Sequence, residues 1–155
     1  MEKLRTSSVV LVFNSKNELA MQLRAAQDNS FPLHWDFSAG GKVDEGESEE
    51  ECIKRELKEE IGVDAKPVFV AMEHCVYTRW NSQDTREVDV GIYKTRHDGL
   101  FEIDKEEVEE VKFFTLEEIA EMIKSSEKFQ PEFVIAWEKG IVANAAKREF
   151  PTRVN

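Results

Sequence analysis

Residues 48–61, stopped by Gly62, admit one folded form: a helix with an apolar edge and an acidic edge. On a wheel of about 100° per residue, Ile53, Leu57 and Ile61 fall at i, i+4 and i+8 and make a stripe that has to pack against a sheet or another helix. Glu56, Glu59 and Glu60 fall at i, i+3 and i+4, so three carboxylates crowd a neighbouring face. Like charges so spaced cost a bare helix a few tenths of a kcal/mol per pair, and something must offset that. Lys54 and Lys58 could do so on an ordinary solvated face. A hard divalent cation, which takes carboxylate and phosphate oxygens together, is the other solution. The helix should begin near Glu47 or Ser48, and Gly62, without a β-carbon, suits its C-terminal cap.

The rest of the chain reads as hairpins mixed with helices. Residues 6–13 are rich in β-branched side chains and suit a buried strand, 14–17 a turn, and 18–24 a returning hairpin partner. Residues 26–33 read as a polar loop, followed by the short segment His34-Trp35-Asp36-Phe37 and the glycines Gly40, Gly41 and Gly46. Residues 66–77 and 86–96 look like a strand pair joined by the polar loop 78–85, a candidate substrate rim. Residues 110–114 form a short strand; Thr115, with Glu118 three positions on, opens a helix to about Lys124. A final helix is expected from Pro131 to about Lys147. This order implies an α/β (α+β) architecture with a mixed sheet between helices, not a repeating βαβ winding.

The 155 residues suit one compact unit, so a single domain over 1–155 is expected. The net charge of −11 argues against tracking a nucleic-acid backbone, which needs clustered Lys and Arg. No apolar run approaches the roughly 20 residues of a bilayer span, and the N-terminus lacks a secretory apolar region. Cys52 and Cys75 have neither metal-ligand spacing nor disulfide density, so reduced thiols and a cytoplasmic setting are expected. A homodimer is compatible with this composition.

Position gives the acidic helix its meaning. The chain reads Gly41, five positions, Glu47, seven positions, then Arg55-Glu56-Leu57-Lys58-Glu59-Glu60-Ile61-Gly62-Val63. This resembles the Nudix box, G-x5-E-x7-R-E-U-x-E-E-x-G-U with U aliphatic, at all nine defined positions over 23 residues. The resemblance implies an α/β/α sandwich and a metal-dependent hydrolase of small substrates in which a nucleoside diphosphate is linked to a group X. It implies that Glu56, Glu59 and Glu60 bind Mg²⁺ or Mn²⁺, with Glu59 and Glu60 direct ligands and Glu56 either a ligand or the base for water. It also implies that the Gly40 carbonyl is a ligand, and that Arg55 and Glu47 form a pair orienting the glutamates. An ordinary surface salt bridge is the plainer account of that pair. An acid from the block 102–110 is expected to complete the site, Glu106 or Glu107, with Glu107 preferred.

Trp35, Tyr77, Arg79 and Trp80 are the expected substrate contacts, with Phe31, His34 and Arg86 further candidates, since aromatics stack and Arg forks onto phosphate. Trp35 and Phe31 equally suit packing, and His34 a hydrogen-bonded loop. Trp35-Asp36-Phe37 is followed by Ser38-Ala39-Gly40-Gly41 with no proline, a form similar to isopentenyl diphosphate isomerase-like members. That activity requires a cysteine upstream of the box, and both cysteines lie elsewhere. A non-catalytic nucleotide-binding domain is a third reading, set against the complete glutamate set.

Overall fold

The computed structural model describes residues 5–147. Strand β1 (Arg5–Phe13) organises the fold because both its faces are buried. Val9, Leu11 and Phe13 join one core cluster while Val10 and Val12 join another, as the two-residue period of a strand requires. One edge of β1 runs parallel to β6 (Thr85–Arg96), from Arg5↔Val88 to Phe13↔Arg96, and β6 continues antiparallel to β5 (Val68–Thr78). The other edge of β1 is shared. β4 (Ala39–Lys42) takes Ser7 to Val10, and β2 (Leu19–Arg24) meets β1 at Phe13↔Leu19. β2 then departs to pair with β7 (Val108–Phe114) along one edge and with β3 (Trp35–Asp36) along the other.

Helices lie on both faces of this mixed sheet, as the sequence predicts. On one side α1 (Glu49–Ile61) presses Ile53, Leu57 and Ile61 against Val10, Val12, Ala20 and Ala39. Burying each such side chain contributes about 1.5–3 kcal/mol, well above the few tenths lost per carboxylate pair, so packing holds the acidic helix in place. Ser48 Oγ accepts from the Glu51 amide, and Glu51 reaches back to the Ser48 amide, closing a capping box. Gly62 ends the helix at φ 68°, where a β-carbon would also stand 2.6 Å from Glu102 Cβ. On the other side α2 (Leu116–Lys124), α3 (Pro131–Glu138) and α4 (Ile141–Lys147) contribute Ile119, Phe133, Ala136, Val142 and Ala145 to the first cluster. Among the described residues no helix is long and apolar enough to cross a membrane.

The structure departs from the sequence reading in three places. The pair Gly40-Gly41, assigned to no element from the sequence, is strand: β4 hydrogen-bonds to β1 through backbone that needs no side-chain pattern. The expected hairpin of β1 and β2 opens after its turn, and β2 finds its long ladder on β7, which starts at Val108. The single helix expected from Pro131 to Lys147 is two, because Gly140 adopts φ 76° and breaks the chain direction between α3 and α4.

That break is open to test. Gly140→Ala should destabilise the protein by about 1 kcal/mol, since alanine tolerates a positive φ poorly. A continuous helix would instead gain about as much from alanine, so a higher urea midpoint for the variant would contradict the two-helix arrangement.

Candidate active site

The sheet brings β4 against the acidic edge of α1, and this contact defines the site. Gly41 lies so close that an added β-carbon would stand 2.7 Å from Glu56 Oε1, so a side chain here would displace that carboxylate. The Gly40 amide donates to Glu60 Oε1 at 3.0 Å, and Gln22 Nε2 of β2 donates to the same oxygen at 3.3 Å and to the Ser38 carbonyl at 3.1 Å. Glu56 and Glu60 are only 9% and 8% exposed. Burial, and then the Glu56 charge beside it, push the Glu60 carboxyl well above the usual carboxylate range against the pull of Gly40 and Gln22. Burial likewise raises Glu56, against Arg55.

Glu107, from the turn before β7, completes the cluster. Glu56, Glu60 and Glu107 each present one oxygen, all within 4.8 Å of one another. Three carboxylates, two of them desolvated and with raised pKa values, form an all-oxygen donor set that fits a hard dication. Glu59, by contrast, is 61% exposed at its side chain and pairs with Arg55 Nη1 at 3.3 Å. Arg55 holds several acids at once. Its Nε and Nη2 fork onto the two Glu47 oxygens at 2.8 and 3.1 Å, while Nη1 reaches Glu56 Oε1 at 2.7 Å. The hydrogen bonds from Arg55 hold Glu47 down at about 2. The pair therefore ties the loop ahead of α1 to the glutamate that β4 abuts, a geometry more demanding than a surface salt bridge.

A polar cavity of about 210 Å³ opens beside Glu60, Gly40 and Gly41, walled further by Arg24, Asp36, Tyr77, Arg86 and Glu132. Of the expected substrate contacts, Tyr77 lines it. Trp35 does not: its ring stands edge-on to Phe114, 5.2 Å away, on the α2 side of the sheet. Trp80 packs on His34 and Phe31 at 5.1 and 5.5 Å, a cluster that meets the cavity through Phe31 and Tyr77. Arg79 is exposed on the β5–β6 hairpin, outside the lining. Sequence reasoning missed Gln22, Asp36 and Glu132. Their elements are short or distant in the chain; the one available signal was a polar side chain placed within otherwise apolar segments.

A glutamate-bearing helix laid on a mixed sheet, with a glycine strand across its acidic edge and a polar cavity beside it, defines an acidic site in an α/β fold. The model of the NUDIX domain matches residues 3–136, and the chain belongs to the Nudix family as a Nudix hydrolase. It is similar to an uncharacterised Nudix hydrolase of Listeria monocytogenes, 28% identical over 130 residues covering 81% of this chain and 72% of the relative. Its fold matches that of a MutT protein from Methanosarcina mazei, with a TM-score of 0.75, 22% identity, and 96% and 99% of the two chains covered. A chloroplastic isopentenyl-diphosphate Delta-isomerase of Arabidopsis thaliana is also similar, 28% identical across 94% of this chain and 63% of its own.

The raised Glu60 gives a pH prediction with a definite sign. A carboxyl whose folded pKa lies above its unfolded value of roughly 4.3 destabilises the fold once both states are ionised, and the penalty fades as pH falls between those values. In EDTA, Glu60→Gln should therefore be more stable than the parent at pH 8, by a margin that shrinks towards pH 4. Mg²⁺ at 100 times its Kd should stabilise the parent by about 2.7 kcal/mol and the variant far less. Denaturant melts showing the variant weaker in EDTA, or the parent indifferent to Mg²⁺, would sink this account.

Proposed function

We propose that residues 1–155 act as one Nudix hydrolase domain that cleaves the phosphoanhydride of a nucleoside diphosphate linked to a group X. In this reading Mg²⁺ or Mn²⁺ is held by Glu56, Glu60, Glu107 and the Gly40 carbonyl. The observation that carries it is the convergence of three carboxylates from α1 and the β7 approach beside a polar cavity. When bound, the ion screens the charge of diphosphate and acidifies water. The chain's own groups do the rest. Glu60 is fixed by Gly40 and Gln22, so its oxygen needs no rearrangement to serve as a ligand. Arg55 and Glu47 position Glu56. Glu59, exposed and attached to Arg55, is the box carboxylate left outside the three-acid cluster, and we assign it the proton taken from water. A cytoplasmic setting suits the two free thiols.

The isomerase reading has similarity in its favour and chemistry against it. Burial pushes Cys52 and Cys75 each up to about 12, and neither lines the cavity, so neither thiol is placed for proton transfer. A non-catalytic binding domain would have no use for a complete set of box glutamates.

Incubation with Mg²⁺ or Mn²⁺ and a panel of nucleoside triphosphates, dinucleoside polyphosphates, nucleotide sugars and prenyl diphosphates should release phosphate or nucleotide from at least one class. Glu60→Gln and Glu107→Gln should lower kcat/KM about 100-fold and weaken Mn²⁺ binding, read by electron paramagnetic resonance. Glu59→Gln should lower kcat similarly while retaining Mn²⁺. A panel left intact, or double-bond migration in a prenyl diphosphate, rejects the hydrolase assignment; loss of Mn²⁺ from Glu59→Gln moves that residue into the ligand set.

A further inference from the structure

The cavity wall beyond Glu60 carries a second polar cluster that the metal chemistry does not use. Tyr77 and Arg86 are direct cross-strand partners on β5 and β6, so their side chains leave the same face side by side. The Tyr77 hydroxyl donates to Glu132 Oε2, and Glu132, at the start of α3, is 6% exposed. Arg86 Nε is buried with no hydrogen-bond partner, an omission that costs free energy unless a ligand supplies an acceptor. Asp36 completes the wall. It is held by Arg24 Nη1 at 2.8 Å and by the Phe37 amide at 2.7 Å, while the other Arg24 nitrogens go to Ser30 and Asp28. Arg24 is thus occupied with structure, whereas Arg86, which also lines the cavity, keeps one donor without a partner.

We propose that Arg86, Glu132 and Asp36 recognise the hydroxyls of a sugar ring as the group X, making the substrate a nucleoside diphosphate sugar; this rests on the hydrolase reading above. Adjacent hydroxyls both donate and accept, which matches a wall holding two carboxylates and an unpaired guanidinium N–H. A prenyl chain would leave the Arg86 N–H desolvated without a partner. A nucleobase in this space would find Tyr77 as its one available ring, and that side chain is already tied to Glu132. Trp35 and Trp80 are turned to other rings outside the lining, and Phe37, 2% exposed, stands edge-on to Phe133. The volume of about 210 Å³ is below the roughly 300–1,000 Å³ of sites for whole drug-sized ligands, so it suits one ring with the nucleoside lying outside.

The test uses the full chain with Mg²⁺ and four probes: UDP-glucose, ADP-ribose, dATP and dimethylallyl diphosphate. The parent should favour the two sugar-bearing probes in kcat/KM by about 10-fold or more, and Arg86→Lys and Glu132→Gln, checked for native circular dichroism, should cut that preference about 10- to 100-fold, mainly through KM. Calorimetry without turnover uses Glu59→Gln, in which adding Glu132→Gln should weaken UDP-glucose binding by the same factor. A parent preferring dATP or dimethylallyl diphosphate, or UDP-glucose binding indifferent to Glu132, overturns the sugar site and leaves the hydrolase reading standing. Glu132-dependent UDP-glucose binding with no probe hydrolysed supports the sugar site and overturns the hydrolase reading instead.

Discussion

Two carboxylates from adjacent turns of one helix are withdrawn from water beside each other, and much of the structure exists to make that tolerable. Glu56 and Glu60 repel, and burial raises the cost of ionising either. The protein answers with partial measures: Arg55 on Glu56, the Gly40 amide and Gln22 on Glu60. None of these is a full positive charge lodged among all three acids. The three apolar residues on the neighbouring edge of α1, fully buried, supply the packing that keeps the helix in place while its acidic edge is left under-neutralised. Stability is given up locally at this edge, as functional sites commonly require.

How much of this was legible beforehand depended on whether a residue's signal was local. The α1 helix, its glycine stop and its glutamate face follow from a 3.6-residue period and one cap, and the flanking strands from β-branched runs. β4 was not legible, because Ala39, Gly40, Gly41 and Lys42 carry no alternation and are recruited by the free edge of β1. Nor was the split between α3 and α4, since apolar residues continue past Gly140 on both sides and only the backbone dihedral marks the turn.

The site divides along the same line. Glu56, Glu60, Arg55 and Glu47 lie within one motif, and Glu107 was reachable only through what the family resemblance implies about an acid from a later block. Gln22, Asp36 and Glu132 come from β2, β3 and α3, and no spacing rule connects them; only the pairing of β2 with β3 and the docking of α3 do so. Aromatic residues misled for a related reason. Trp35 has the chemistry of a stacker, but a strand residue points to one face only, and β3 turns Trp35 towards Phe114.

The contact between Gly41 and Glu56 has a mechanical implication. With room between strand and carboxylate only for a residue that lacks a β-carbon, the β4–α1 spacing works as a gauge block that limits how far the acid can retreat towards the strand. Substitutions deep under β4, far from any polar group, would then shift the carboxylate without touching it.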